Sequence, residues 1–97
     1  MPKITREIGG KNCQIFSTIE RSKIYDGGFP TIRVSFIRNG IPFVKSGSPS
    51  HNETESDTTL HLFNVLRKEV MQIAHDAGWP SPKEIGKLFT EFKKLLN

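Results

Sequence analysis

The three histidines and the one cysteine are the nitrogen and sulfur ligands that this chain could offer to a metal ion such as zinc. His61 and His75 lie in one predicted helix, where a rise of about 1.5 Å per residue separates them by roughly 21 Å. His51 falls in a polar segment, and a single cysteine provides no Cys-x-x-Cys pair. We therefore expect no metal site and no metal cofactor.

Nucleophilic catalysis would need a thiol or hydroxyl group beside a base and an oxyanion hole. Cys13 falls on a predicted strand, on the same face as Ile15 and Ile19, which favours a buried structural thiol. No Gly-x-Ser-x-Gly motif is present. The glycine pairs Gly9-Gly10 and Gly27-Gly28 precede no predicted helix, so neither is typical of a phosphate-binding loop. We expect no enzyme and no organic cofactor.

Binding is the remaining class of function, and one face of a predicted sheet is the first surface that could perform it. Arg33, Ser35 and Ile37 alternate along one strand and are joined by Val44 on the next. A mixture of basic and apolar side chains on strands can contact a nucleic acid or stack its bases. Alternatively, a helix covers this face, which would explain Ile37 and Val44 without a ligand. The basic residues that would form a nucleic-acid-binding face, if they share one side, are Arg21, Lys23, Arg33, Arg38 and Lys45.

The turn between two predicted helices, around Trp79 and Pro80, is the second candidate surface. Trp79 follows Gly78, which suits the left-handed position after a helix. From there the indole ring can pack back onto the first helix near Ile73 or Ala74. Tryptophan is also a favoured anchor of protein interfaces. The residues that we predict to contact a partner protein are Trp79, Pro80, Ile37 and Val44.

This turn lies between two predicted amphipathic helices. The first is predicted over 58–77, with Asp57 as its N-cap. The second is predicted from Pro82 to about Leu96, with Ser81 and Glu84 forming a capping box. Apolar residues recur along both helices at the helical period, which indicates that each buries one face. They are Leu62, Leu66, Val70, Ile73 and Ala77 in the first helix, and Ile85, Leu88, Phe89, Phe92, Leu95 and Leu96 in the second.

The first 46 residues alternate as strands do, and glycine-containing pairs mark the turns between them. Gly9-Gly10 and Asn39-Gly40 are two-residue hairpin signals, and Asp26-Gly27-Gly28 marks another turn. The Asn39-Gly40 turn sets a register that pairs Phe36 with Phe43. Pro42 cannot donate to a ladder, so the strand over 41–45 is predicted to be an edge. Addition of a partner strand there is a further binding mode, which Pro42 limits.

The totals suit one small domain. A chain of 97 residues forms a single modest core. We predict an α+β fold, with a three- to four-stranded antiparallel meander over 1–46, a polar linker over 47–56 and a helical pair over 57–97 that packs on one sheet face. No run approaches the roughly 18 apolar residues of a membrane span, and no apolar segment typical of a secretory signal follows the N-terminus. A lone cysteine suits a reducing compartment, so we expect a cytoplasmic location without membrane contact.

The net charge of +4 arises from 14 basic residues interleaved with 10 acidic ones, which is weak support for a nucleic-acid partner. We therefore expect a small non-enzymatic module that binds a partner protein. Phages and mobile elements often encode such small domains, so an inhibitor or modulator of a host protein is one form of this hypothesis. The alternative is a nucleic-acid-binding module that uses the basic sheet face.

Overall fold

A computed structural model describes residues 2–21 and 30–96. Four strands form one antiparallel sheet in the order β1-β2-β3-β4, and two helices follow. The predicted α+β fold, a meander followed by two amphipathic helices on one sheet face, is confirmed. The elements are β1 (Lys3–Ile8), β2 (Lys11–Arg21), β3 (Pro30–Arg38), β4 (Ile41–Gly47), α1 (Glu55–Ala77) and α2 (Pro82–Leu96).

Two of the three predicted turns lie within the described residues. At Asn39 and Gly40 the φ angles are 51° and 82°, and Gly9 and Gly10 are also at positive φ. These values give the mirror-image turns whose twist matches that of the adjoining strands. The register after Asn39-Gly40 pairs Phe36 with Phe43, as predicted. The turn predicted at Asp26-Gly27-Gly28 lies outside the described residues.

The register divides the side chains of the sheet between two faces. On one face Ile15, Ile32, Val34 and Phe36 are fully buried beneath the helices. There α1 contacts β3 and β4, whereas α2 contacts β1 and β2. The ring of Phe89 lies 5.3 Å from that of Phe36, so α2 reaches the centre of this core. Both helices lie on this covered face, and the alternative in which a helix covers Ile37 and Val44 is wrong.

The start of α1 corrects the predicted boundary. The N-cap is Thr54 rather than Asp57, and β4 runs to Gly47, so the predicted polar linker is shorter at both ends. The backbone N–H of Asp57 donates to Thr54 Oγ1 over 3.0 Å, and the N–H of Thr54 donates to Asp57 Oδ2 over 3.2 Å. Asp57 is therefore the third helical residue of a capping box, a position that aspartate can fill as well as glutamate.

The corner between α1 and α2 confirms one expectation and corrects another. Gly78 is left-handed at φ 65°, and Trp79 N–H donates to Ala74 O over 2.9 Å, as in the expected C-terminal motif. The capping box predicted at Ser81 is wrong. Ser81 has φ 58°, whereas an N-cap residue needs extended backbone to direct its hydroxyl group at the helical amides. The carboxylate of Glu84 instead accepts from Lys87 Nζ at 3.3 Å.

Candidate protein-binding surface

The outer edge of β4 carries backbone groups that do not bond to β3. The two-residue turn makes Arg38 and Ile41 a hydrogen-bonded pair, so bonding to β3 recurs at every second residue of β4. The backbone groups of Pro42, Val44 and Ser46 therefore point away from the sheet. Pro42 has no N–H, and the outward donors are the amides of Val44 and Ser46. This edge can accept a further strand along most of its length.

Exposed apolar side chains flank β4 on both faces of the sheet. Val44 is 45% exposed on the open face, where Ile37 and Pro42 lie near it in the register. Ile41 is 59% exposed on the covered face, at the turn end of the strand. Natural edge strands are usually protected by charged side chains, proline or bulges, and β4 has two such residues, Pro42 and Lys45. The apolar residues around β4 are instead typical of a surface that another chain covers.

Helix α1 provides a wall beside this edge. It lines a groove of about 580 Å³, and Lys45 of β4 forms the remaining side of this groove. The lining residues of α1 are Val65, Lys68, Glu69, Gln72 and Ile73. Val65 is 40% exposed and Ile73 is half-buried. We call the outer edge of β4, the flanking side chains of Ile37, Ile41 and Val44, and this groove the β4 edge surface.

An ion pair connects the strand and the helix at this surface. Lys45 Nζ lies 2.9 Å from a carboxylate oxygen of Glu69, and both side chains are partly exposed. A pair of this kind contributes little to stability, typically below about 1 kcal/mol. Both partners line the groove, together with the apolar side chains of Val65 and Ile73.

The structure places the four predicted partner-contact residues on two different surfaces. Ile37 and Val44 lie on the open face, whereas Trp79 and Pro80 lie at the helix corner on the covered side. The indole ring of Trp79 packs edge-on against Phe43, with ring centroids 5.7 Å apart.

The guanidinium carbon of Arg38 stacks over the same indole ring, 4.2 Å from its centroid. Pro80 packs against the β1–β2 turn, because a Cβ built on Gly9 would lie 2.6 Å from Pro80 Cγ. Trp79 therefore packs the helix corner against the ends of β3 and β4. The sequence had suggested that the indole ring packs on α1 near Ile73 or Ala74.

The predicted nucleic-acid-binding residues do not share a face. Arg21 and Lys45 point to the covered side, where they pair with Glu55 and Glu69 of α1. Arg38 also points to that side and stacks on the tryptophan. On the open face Arg33 is 2.9 Å from Glu20, so its charge is compensated locally. The remaining predicted residue, Lys23, lies outside the described residues.

The cysteine is fully buried, as expected. Cys13 has no exposed surface, and burial raises the pKa of its thiol, which keeps the sulfur in its less nucleophilic protonated form. Among residues 2–21 and 30–96, no three histidine, cysteine or carboxylate side chains are arranged to hold a metal ion. Neither α1 nor α2 is long and apolar enough to cross a membrane.

Comparisons of the chain with models of protein families, with curated proteins and with solved structures find no match. The β4 edge surface therefore has to be interpreted from its own geometry. Sequence reasoning found its edge strand through Pro42, and its open-face residues Ile37 and Val44 through alternation. It missed Ile41 and Val65. The register of the Asn39-Gly40 turn puts Ile41 on the covered side, but only the position of α1 shows that Val65 lies beside β4.

Proposed function

We propose that this protein is a small binding module that takes an extended segment of a partner protein as a fifth strand along β4. The observation that supports this proposal is the coincidence of three features on one side of the molecule. They are an outer strand edge with outward backbone donors, exposed apolar side chains on both of its faces, and a groove beneath α1. Strand addition uses main-chain hydrogen bonds for affinity and alternating side-chain sites for specificity.

The geometry of β4 defines what the partner segment would contact. Its backbone would pair with the outward groups of Val44 and Ser46, because the missing N–H of Pro42 removes one donor near the turn. Alternate side chains of the segment would lie on the open face beside Pro42 and Val44. The others would lie in the groove against Val65 and Ile73. An extended segment with apolar residues at alternate positions fits both sites.

The alternative, nucleic-acid binding through a basic sheet face, has less support from the geometry. Arg21, Lys45 and Arg33 each lie beside a carboxylate, and Arg38 is stacked on Trp79. These cations are divided between the two faces of the sheet, so they do not form one array along which phosphate groups could bind. Protein recognition remains the better hypothesis for the sheet. A role in the cytoplasm suits it, because the only cysteine is a buried thiol.

Selection from a random peptide library displayed on phage tests this proposal. We expect the selected peptides to alternate apolar residues and to slow hydrogen exchange at the Val44 and Ser46 amides. Val44→Pro removes one outward donor and should weaken binding of a selected peptide at least tenfold. Thr5→Pro is the matched control, because Thr5 occupies the equivalent outward position on the other edge strand, β1.

Two results would contradict the proposal. One is equal loss of peptide binding in the Val44 and Thr5 variants, which would indicate a general effect of proline on the sheet. The other is protection from exchange at residues remote from β4. Pairing of β4 with β4 of a second copy is a separate outcome, which sedimentation velocity detects as a dimer that the Val44 variant loses.

A further inference from the structure

Three of the six carboxylates in the two helices pair with cations of the sheet, and this withdraws negative charge from the outer helical surface. Within the part of the chain that the structure describes, three ion pairs connect the layers, and in each the sheet provides the cation and a helix provides the acid. The pairs are Arg6 with Glu91, Arg21 with Glu55, and Lys45 with Glu69. Because Glu55 and Glu69 face the sheet, they compensate the cations on the outer side of the helices less, whereas Glu91 lies near Lys87 and Lys94 as well as Arg6. The two helices together have six basic and six acidic residues, so their outer surface is basic only to the extent that these acids pair with the sheet.

The excess positive charge is concentrated in a groove between α1 and α2. Lys83, Lys87 and Lys94 lie along one side of α2, and Arg67 of α1 faces them across the groove, which has a volume of about 530 Å³. Gly86 forms part of its floor. A Cβ built there would lie 3.9 Å from Met71 Cε, an ordinary van der Waals contact with α1. We call these four cations and the space between them the α1–α2 basic groove.

Two acidic groups lie at this groove, and both are already paired. Glu91 Oε2 accepts from Arg6 Nη2 at 2.6 Å, from the sheet side. Glu84 accepts from Lys87 at 3.3 Å in a pair that is largely exposed and is weak in water. The four cations still outnumber the two carboxylates, Glu84 and Glu91, so the groove keeps a net positive charge, although Lys87 is one of the paired cations. Thr90 also lines the groove, but its hydroxyl group donates to Gly86 O over 3.0 Å, so the cations are the groups that would contact a phosphate.

We propose that the α1–α2 basic groove binds the phosphate backbone of a nucleic acid. The lysine row from Lys83 to Lys94 is about 16 Å long at a rise of 1.5 Å per residue. One strand of a B-form duplex carries a charge every 3.4 Å or so along its axis, so the row can contact several phosphates. The lining holds no aromatic side chain that would stack bases, and Arg67 is its one side chain with the forked geometry that reads a base edge. Binding is therefore expected to depend mainly on phosphate contacts and little on sequence.

The surroundings of the groove favour a nucleic acid over other polyanions. A basic helix that binds a lipid surface inserts its apolar face, but Ile85, Leu88, Phe89 and Phe92 of α2 are fully buried in the core. An acidic protein partner would normally also bury apolar or aromatic anchors. No large apolar side chain lines this groove, so a regular array of solvated phosphates suits it better. This proposal does not depend on the β4 edge surface, which lies on a different side of α1.

Fluorescence anisotropy with labelled duplex DNA of random sequence, at several salt concentrations, tests the proposal. With four cations in contact, log K should fall against log salt with a slope of roughly −3.6, at about −0.9 per phosphate. Lys87→Gln or Lys94→Gln should each reduce the magnitude of the slope by about 1 and weaken binding several-fold at low salt. Lys3→Gln, which removes the same charge on the open face of the sheet, should leave the slope unchanged.

Three outcomes would overturn this inference. The first is no measurable binding of duplex DNA at low salt. The second is an equal effect of Lys3→Gln and Lys87→Gln, which would show that only the overall charge matters. The third is binding of labelled polyglutamate, or of vesicles containing anionic lipid, as tightly as duplex DNA and with the same loss in the Lys87 variant. That result would assign the groove to an acidic protein or a membrane surface instead.

Discussion

The stacking of Trp79 between the sheet and the helix corner allows a quantitative test of how the two layers are joined. The indole ring contacts the Phe43 ring edge-on and lies under the Arg38 guanidinium group. Trp79→Ala removes both contacts together with the partial burial of the ring. Arg38→Gln removes the cation and leaves the aromatic pair in place.

The expected loss of stability follows from these contacts. An edge-to-face aromatic pair contributes about 0.5–1.5 kcal/mol beyond its buried area. A cation–π contact at an exposed site contributes about 0.5–1 kcal/mol. Truncation of a fully buried tryptophan costs about 3–5 kcal/mol, and Trp79 is only partly buried. We therefore expect Trp79→Ala to lower the free energy of unfolding by about 2–3 kcal/mol.

A double-mutant cycle with Arg38→Gln isolates the cation–π contact. Urea unfolding should be followed by circular dichroism, because Trp79 is the only tryptophan and its fluorescence is lost in the alanine variant. We expect a coupling free energy of about 0.5–1 kcal/mol between the two positions. Additive losses would refute the stacking, and a loss below about 1 kcal/mol for Trp79→Ala would refute its structural role at the corner.

Two further predictions concern stability. Gly9→Ala should lower the free energy of unfolding, measured in urea, by at least about 1 kcal/mol more than Gly10→Ala does. Both residues have positive φ, but only the Cβ at position 9 would collide with the proline of the α1–α2 turn. Equal losses in the two variants would contradict that contact. The hydrogen bond from Arg6 lowers the pKa of Glu91, so the stabilising contribution of this carboxylate is present above the unfolded pKa of about 4.3 and is lost as the pH falls through the lower folded value. The gap in stability between the wild type and Glu91→Gln should therefore close between pH 7 and strong acid, and a gap that is independent of pH would exclude the ion pair.

Local rules were sufficient to predict the elements and their order. The hairpin at Asn39-Gly40 and its register follow from the positive φ values that a two-residue turn requires. The C-terminal end of α1 follows from Gly78 for the same reason. Of the six residues that the apolar period of α2 predicts on its buried face, Ile85, Leu88, Phe89 and Phe92 are fully buried, whereas Leu95 at the end of the helix is 52% exposed. These features depend on neighbours within a few residues, so the sequence alone contains them.

The same local rules were wrong where two solutions compete within a few residues. Thr54 and Asp57 are both good N-cap residues, and the helix begins at the earlier one because Asp57 can then complete the capping box. At Ser81 the backbone is left-handed, so its side chain cannot act as the predicted N-cap. In the folded protein the corner places Trp79 against Phe43 and Arg38 at the ends of β3 and β4. These contacts depend on the tertiary fold, so local rules do not include them.

What the sequence by itself determined is the fold class, the edge strand and the helical faces, because each is encoded in short-range periodicity and turn chemistry. Only the tertiary structure decided which charges meet. It paired Arg21 and Lys45 with acids of α1, which disperses the predicted basic sheet face, and it placed Arg67 beside the lysine row of α2. The physical reason is that a charged side chain acts over a few ångströms of space, and residues far apart in the chain become neighbours only when the helices pack on the sheet.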